Sequence, residues 1–401
     1  MSRQKMNEAI EVAGAPSNSG GGTGRRDFLK RTAMAGVGAS ALAVLPVEGA
    51  RANVTPERGN NGEELPGEAS LGGNITKVLF LTINVSDLDR AIEFYEATYP
   101  VKRAEVLDPP VQAFNGFGIP KGQFRARMMR DSQPFQGSAI LLVQWLSPRP
   151  EGVPYPEANH VGWYREHANA SQTGQAARYE QALANGGRPY GEPSLIFITP
   201  TTQIYAFGFR DPDGTTLEWV GPLDPTPGGQ PDSVAGPNNN CRNLHRSYAW
   251  YKNVLGLDLQ VRLNPTALQP ANSGSLGDLL RNPDGSPHPG PVDYDAAIMV
   301  PRADNRNSVD LLEWQVPPSY GSPYKHANNL GMMNFTYEVE NVQVVYEKLL
   351  RVLPDPRKHI VAPPETWDLG AFGEKKTLNI LDPDGVMFQF IEKVHSTDPE
   401  P

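Results

Sequence analysis

The segment FRDPDGTTLEWV, residues 209–220, returns later in the chain as NILDPDGVMFQFI, residues 379–391. In both copies an Asp-Pro-Asp-Gly turn precedes an apolar run. Such a turn suits a hairpin, because proline fixes φ and glycine accepts positive φ. The copies differ four residues after the glycine, where the first has Glu218 and the second has Gln389. A repeated turn predicts a repeated folding unit, and the differing residue marks a position to compare.

Further matches extend the repeat over most of the chain. Arg90 and Tyr95 recur 156 positions later as Arg246 and Tyr251. Three more pairs of segments are in register: AILLVQW (139–145) with SVDLLEW (308–314), PYPEANHVGWY (154–164) with PYKHANNLGMM (323–333), and YEQAL (179–183) with YEKLL (346–350). Each unit is predicted to contain a strand, then a helix, then further strands. In the first unit the helix is predicted to start near Ser86 and Asp87. This internal repeat decides the architecture.

These residues resemble the vicinal oxygen chelate superfamily of glyoxalase, bleomycin-resistance and extradiol-dioxygenase proteins. The resemblance covers about residues 74–394 and depends on four segments, namely VSDLDRAIEFY, RSYAWYKNVLGL, FRDPDGTTLEW and LDPDGVMFQF. It implies an α+β fold in which four βαβββ modules pair into two cupped-sheet domains. Each pair of modules would curl around a cavity.

Composition predicts the boundaries between these parts. Residues 53–73 are polar and Gly-rich, which indicates a disordered tether, and residues 224–240 have the Pro and Gly content of a linker. The predicted order is a signal peptide (1–52), the tether (53–73), a first two-module glyoxalase-like domain (74–223), the linker (224–240) and a second such domain (241–395). Two long Gly/Pro-rich segments, 108–137 and 264–293, are candidates for lids over the cavities.

The first 52 residues have the pattern of an export signal. Arg25 and Arg26 precede a short apolar run at residues 32–47, and small residues follow at 50–52. The run is too short for a stable membrane span. The segment RRDFLK resembles a twin-arginine (Tat) signal, which implies contact with the Tat export machinery and a periplasmic or secreted protein. The alternative is a basic tail ahead of a buried Ala-rich helix.

Charge and cysteine content exclude some classes of protein. The chain has 45 acidic and 36 basic residues, a net charge of −9, which argues against a nucleic-acid partner because phosphate contacts need a basic surface. The single cysteine, Cys241, cannot form an internal disulfide.

The resemblance implies a divalent metal (Fe, Mn, Zn or Ni), held by side chains from the first and last strands of each module. In the first half of the chain Phe80 occupies one such position and cannot bind metal, whereas Gln144 is a weak ligand. Either His160 or His167 supplies the third position, because alignment on Gly162 and Gly331 puts Arg165 opposite Asn334, whereas counting back from the helix favours His167. Glu218 supplies a carboxylate and is the candidate catalytic residue.

The second half of the chain has fewer candidate ligands. Its positions fall near Gly236 and on Glu313, Asn334 and Gln389, so only Glu313 offers a carboxylate, as a weak metal candidate. Glu218 and Glu313 also have a plainer interpretation as strand residues in ion pairs.

The sequence thus favours an exported protein with metal-assisted lyase, isomerase or ring-cleaving dioxygenase chemistry on a small molecule with vicinal oxygens. The reaction would be centred in the first half. The alternative is a metal-free protein of the same fold that binds or sequesters a small apolar or aromatic molecule, because ligand pockets are mostly hydrophobic.

Overall fold

The structure is a computed structural model that describes residues 70–131, 139–197, 203–221, 223, 232–263, 280–288, 292–304 and 307–393. The predicted signal peptide (1–52), residues 53–69 of the predicted tether and residues 224–231 of the predicted linker lie outside the described residues. Among the described residues, no helix combines the length and the apolar character needed to cross a membrane.

The described residues form four modules in chain order. The first contains β1 (Ile75–Asn84), α1 (Leu88–Thr98), β2 (Val101–Val106), β3 (Gln112–Phe114), β4 (Ile119–Asp131) and β5 (Ala139–Ser147). The second contains β6 (Gly162–Asn169), α2 (Gln172–Ala184), β7 (Arg188–Pro189), β8 (Ser194–Phe197), β9 (Gln203–Arg210) and β10 (Thr216–Gly221).

The third and fourth modules repeat this order with small variations. The third contains β11 (Ser233–Asn240), α3 (Leu244–Trp250) continued by a π-helical turn (Tyr251–Leu255), β12 (Asp258–Leu263), β13 (Asp293–Val300) and β14 (Val309–Val316). The fourth contains β15 (Gly331–Val339), α4 (Val342–Val352), α5 (Pro356–His359), β16 (Glu365–Asp368), β17 (Glu374–Leu381) and β18 (Met387–Glu392).

Polar N-cap residues start the longer helices. Each cap side chain accepts a hydrogen bond from the backbone N–H three residues later, which satisfies one of the free donors of the first turn. The caps of α1 to α4 are Asp87, Ser171, Asn243 and Asn341. The predicted start of the first helix at residues 86–87 is therefore confirmed.

The strands form two mixed sheets. Sheet I has the order β16-β17-β18-β15-β1-β5-β4-β2, with β3 on β4, and sheet II has the order β12-β13-β14-β11-β6-β10-β9-β7, with β8 on β9. The predicted α+β fold of four modules in two cupped sheets is confirmed. We call the face of each sheet opposite the helices its cup; Leu141, Val143 and Trp145 lie on the cup of sheet I, and Leu312 and Trp314 on that of sheet II.

The modules do not pair in the order that the sequence suggested. Sheet I joins the first module to the fourth through antiparallel β1 and β15, and sheet II joins the second to the third through β6 and β11. The sheets therefore cut across the predicted domains 74–223 and 241–395, whose boundaries stay a prediction. The first strands of all four modules are equivalent, so the sequence does not show whether a module pairs with its neighbour in the chain or with a more distant module.

Residues 233–240, predicted as the end of the linker, form β11. The run PNNN has the composition of a linker, but its amides bond buried groups. Asn240 Nδ2 donates to the carbonyl oxygens of Ala158 (2.7 Å) and His160 (2.8 Å), and Asn239 Nδ2 contacts Asp382 Oδ2 at 3.2 Å. Buried amides occupy positions that apolar side chains usually fill in a strand. A prediction based on hydrophobic periodicity therefore does not detect β11.

Each Asp-Pro-Asp-Gly turn fastens one module to the helix of another. Asp211 Oδ1 accepts the backbone N–H groups of Asp213, Gly214 and Thr215 at 2.7–2.9 Å, and its Oδ2 accepts from Tyr95 of α1 at 3.1 Å. Gly214 has φ +104°, the conformation predicted for the turn glycine. The turn is therefore both a hairpin connection and a contact between modules.

The second aspartate of the turn completes this contact. Asp213 accepts from the backbone N–H of Ser86 at 2.7 Å and forms an ion pair with Arg90. The second copy is equivalent, since Asp382 accepts from Tyr251 OH at 3.1 Å and Asp384 pairs with Arg246. We call these two sets the turn latches. They join the first module to the second and the third to the fourth.

Two equivalent hydrogen bonds also cross between the sheets. The backbone N–H of Val78 in sheet I donates to Asp304 Oδ2 at 3.1 Å, and that of Val234 in sheet II donates to Asp131 Oδ2 at 2.8 Å. One apolar cluster contains residues of both sheets and of α1 and α3, including Phe335. Burial of this surface contributes the main favourable free energy of folding.

The predicted lid at residues 108–137 is in part a piece of sheet I. Its residues 112–131 form β3, a 3-10 turn (Asn115–Phe117) and β4. Phe117 and Phe124 from this segment pack against Trp145 on the cup. Of the second predicted lid, 264–293, most residues lie outside those described.

Candidate functional site

Ionisable side chains converge on the cup of sheet II. His167 on β6 and Glu218 on β10 are direct partners in a parallel ladder, so their side chains lie on the same face. His167 Nε2 lies 2.9 Å from Glu218 Oε2. Both side chains are buried, Glu218 being only 2% exposed, so this interaction is shielded from water.

A cation completes the pairing of Glu218. Arg165, two residues before His167 on β6, places Nη1 at 2.7 Å from Glu218 Oε1. Its Nε donates to Asn238 Oδ1 on β11 at 2.9 Å. Each oxygen of the Glu218 carboxylate thus has a different nitrogen as its partner, which is the condition under which a buried carboxylate is tolerated.

Asp310 on β14 is a member of this site that the sequence analysis missed. Its Oδ2 lies 3.5 Å from His167 Nδ1, on the other side of the ring from Glu218. Burial raises the pKa of Asp310, and the proximity of His167 acts in the opposite direction. Strand alternation was the signal that could have found it, because Asp310, Leu312 and Trp314 must share one face of β14.

Gly236 lies opposite His167 in the β6–β11 ladder. A Cβ at this position would stand 2.2 Å from the backbone oxygen of Ser308, and the residue has φ +146°. Only glycine is compatible with this backbone. The position that the resemblance assigned to a fourth ligand therefore cannot carry a side chain.

The arrangement of donors does not fit a metal ion. A single ion would need one nitrogen of His167 and oxygens of Glu218 and Asp310 within roughly 2.0–2.2 Å. The two carboxylates instead face different nitrogens of the ring, and Arg165 already contacts Glu218. Within the described ranges, no group of three or more His, Cys, Asp or Glu side chains could hold a metal.

Gln144 and Glu313 lie on the opposite face from the cups. Each lies one position from cup residues on its strand, and a period of two sends its side chain to the helix side. Gln144 Nε2 donates to the backbone oxygen of Ser86 at 2.8 Å, and Glu313 Oε2 accepts the backbone N–H of Leu244 at 2.7 Å. Both side chains bond the start of a helix, so the structure does not bring either to His167.

His160 lies in the turn before β6, apart from the partners of His167. Its ring stacks on Tyr155 with centroids 4.1 Å apart, and Tyr155 stacks in turn on Tyr324 at 4.0 Å. Burial lowers the pKa of His160. Of the two candidate histidines, the structure places His167 on the cup.

The cup of sheet I has neutral residues at the matching positions. Thr336 and Gln389 are ladder partners there, as His167 and Glu218 are in sheet II. Asn334 Nδ2 donates to Thr336 Oγ1 at 3.0 Å, and Thr336 Oγ1 donates to Gln389 Oε1 at 3.2 Å. Phe80 is buried beside them. This cup has a neutral hydrogen-bonded chain in place of an ionic one.

Comparison of the fold with solved structures identifies similar architectures. Glyoxalase I from Zea mays matches with a TM-score of 0.50 at 16% identity, covering 80% of this chain and 92% of that one, and a single-site variant of it matches equally. A putative dioxygenase from Bacillus subtilis matches at 12% identity and a TM-score of 0.46, covering 80% of this chain and 86% of the other. The fold of this chain is therefore similar to that of glyoxalase I. At this identity the likeness concerns the fold alone.

Comparison of sequences gives no further assignment. No family model matches the chain. No curated protein matches it either.

Proposed function

We propose that the chain is an enzyme that transfers a proton on a small molecule with neighbouring oxygen atoms, and that the reaction takes place in the cup of sheet II. The observation that carries this proposal is the buried imidazole of His167 between the carboxylates of Glu218 and Asp310. Imidazole accepts and releases protons near neutral pH, and a neighbouring carboxylate stabilises the imidazolium that forms.

The two contacts of His167 suggest different roles for its nitrogens. The 2.9 Å contact of Nε2 with Glu218 is a firm hydrogen bond that fixes the orientation of the ring. The 3.5 Å separation of Nδ1 from Asp310 is too long for one. Nδ1 is therefore the nitrogen that receives the substrate proton, and Arg165 balances the charge of Glu218.

Isomerase and lyase reactions are the classes that such a proton transfer serves. The divalent metal implied by the resemblance would supply Lewis-acid stabilisation of an enolate. The arrangement of His167, Glu218 and Asp310 does not fit a metal ion.

Deuterium exchange tests the proposal. Hydroxyacetone, which has a carbonyl next to a hydroxyl, is incubated with the full chain in deuterated water, and loss of its carbon-bound proton signals is followed by NMR. We expect exchange that His167→Ala slows by about 10²- to 10⁴-fold, whereas Glu313→Gln, which keeps its helix contact, exchanges at the wild-type rate. No exchange by the wild type, or equal rates for His167→Ala, would contradict the proposal.

Elemental analysis of the purified chain tests the rival, metal-centred chemistry. We expect proton transfer to survive a chelator. Stoichiometric iron, manganese, zinc or nickel that is lost in Glu218→Ala would replace our proposal by a metal-dependent reaction.

We also propose that the protein is exported through the Tat pathway and acts in the periplasm or outside the cell. Arg25 and Arg26 before a short apolar run support this. A reporter fused to residues 1–52 should be exported, and the double change Arg25→Lys and Arg26→Lys should retain it in the cytoplasm. Export of the double variant would contradict this pathway.

A further inference from the structure

The cup of sheet I contains a cavity that the proton-transfer site does not use. Sixteen of the described residues line it, from β1, β4, β5, β15, β16 and β18 and from the connections around them, and none of these sixteen has an ionisable side chain. Transfer of a charged group into such surroundings is costly, because nothing there compensates its lost hydration. Any occupant of this cavity is therefore neutral.

Aromatic rings form the walls of this cavity. Phe117 packs against Trp367 with centroids 5.0 Å apart and against Trp145 at 6.1 Å, and Phe124 packs against Trp145 at 5.2 Å. Trp145 and Trp367 are 3% and 2% exposed. Aromatic faces and edges stabilise a flat ring placed between them in stacked or edge-to-face arrangements.

Several of the lining residues carry buried polar atoms that lack a partner. Among the described residues, no group bonds Nε1 of Trp145, Nε1 of Trp367 or Oδ1 of Asn334. A buried donor or acceptor without a partner is destabilising, because it has lost its hydrogen bonds to water. Three residues with an unpaired buried polar atom, two indole N–H donors and one amide acceptor, therefore line the same cavity, which favours an occupant with both an acceptor and a donor.

We propose that the cup of sheet I is a metal-free binding site for a neutral aromatic molecule that carries a hydrogen-bond acceptor and a donor, such as an aryl amide. The ring lies between Trp145, Trp367 and Phe117. The polar group satisfies indole N–H groups and Asn334. The space in which the centre of a water-sized sphere can move is about 30 Å³, which restricts the occupant to a small molecule.

A matched pair of ligands tests the charge selectivity. Benzamide and benzoate have nearly the same size and shape, but benzoate is an anion at neutral pH. Calorimetric titration of the full chain should show one saturable site for benzamide and at least ten-fold weaker binding of benzoate. Equal affinities, or no saturable benzamide binding, would overturn the proposal.

Variants locate the site. Val143→Trp fills the cavity and should abolish benzamide binding. Trp145→Phe keeps an aromatic wall but removes an N–H that no described residue bonds, so this variant should fold and bind benzamide several-fold more weakly. His167→Ala in sheet II should leave the benzamide affinity unchanged. Unchanged affinity in Trp145→Phe, or loss of binding in His167→Ala, would refute this location, and neither result bears on proton transfer in sheet II.

Discussion

The cups of sheets I and II share one backbone plan and differ in charge. Gln389, Thr336 and Asn334 in sheet I stand at the ladder positions that Glu218, His167 and Arg165 occupy in sheet II. The first set is linked by neutral hydrogen bonds, whereas in the second Glu218 forms an ion pair with Arg165 and a close contact with His167. The difference teaches that the fold accommodates two kinds of site, and that the choice is made by a few side chains on four strands.

Two further positions reinforce the contrast. Leu141 stands in sheet I where Asp310 stands in sheet II, and Phe80 where Gly236 stands. Phe80 and Leu141 fill space and exclude charge, whereas Asp310 contributes a carboxylate and Gly236 contributes no side chain beside His167. These differences agree with our proposals of neutral binding in the cup of sheet I and proton transfer in the cup of sheet II.

The largest expected effect comes from exchanging a charge between the cups. Leu141→Asp places a carboxylate among apolar groups with no cation on the cavity lining, and should lower the free energy of unfolding by about 3 kcal/mol or more. The reverse change, Asp310→Leu, leaves the Arg165–Glu218 pair intact and should cost about 1 kcal/mol or less. Urea unfolding followed by circular dichroism measures both. Equal losses would break the comparison.

A smaller effect is expected from neutralising the sheet II pair. Glu218→Gln removes the carboxylate that Arg165 contacts and should cost about 3 kcal/mol, because a buried guanidinium loses the charge of the oxygen that its Nη1 contacts. The double change of Arg165 and Glu218 to glutamine imitates the neutral Asn334 and Gln389 of sheet I, and should recover most of that loss. A double variant as unstable as the sum of the single ones would argue against this coupling.

The smallest effect concerns the turn latches, in which the two halves are alike. Burial raises the pKa of Asp211 and of Asp382 to about 6. The folded state then keeps a proton that the unfolded state loses above its pKa near 4, so stability falls as the pH rises from about 4 to 6 and is level above. Each aspartate accounts for about 2–3 kcal/mol of this decline.

Asparagine variants measure this decline directly. Asp211→Asn and Asp382→Asn should each flatten the dependence of unfolding free energy on pH between 4 and 7, by similar amounts. The wild type measured in the same buffers is the reference, since all other groups titrate alike. A dependence as steep as that of the wild type would show that these carboxyls ionise normally.

Local sequence patterns predicted the repeated modules well. Helix starts such as Asp87 and the Asp-Pro-Asp-Gly turns depend on interactions within a few residues, so they can be read from the sequence. Which modules pair cannot be predicted from the sequence, because β1 and β11 would have equivalent neighbouring strands whether a module paired with the next one in the chain or with a more distant one. The contact of Arg90 with Asp213 likewise joins residues far apart in the chain.

The sequence predicts some of the residues that converge on this cup. Glu218 follows from counting on from the Asp-Pro-Asp-Gly turn and His167 is one of two candidate histidines, and the structure brings their side chains together. Gln144 and Glu313 were chosen as chemically suitable residues, but the two-residue alternation of a strand puts them on the other face. Asp310 was overlooked for the same reason. The role of Arg165 depends on a contact across three strands, which no local pattern contains.

The pairing of the first module with the last has a consequence for the order of folding. Val78 on β1 has Tyr337 on β15 as its ladder partner, so one edge of the first strand stays unpaired until the end of the chain has been made. Sheet II consists of strands from the middle of the chain and can close earlier. Such distant contacts slow folding and expose strand edges during synthesis. For this protein, the β1 edge that pairs with β15 must be protected during synthesis until the fourth module has been made.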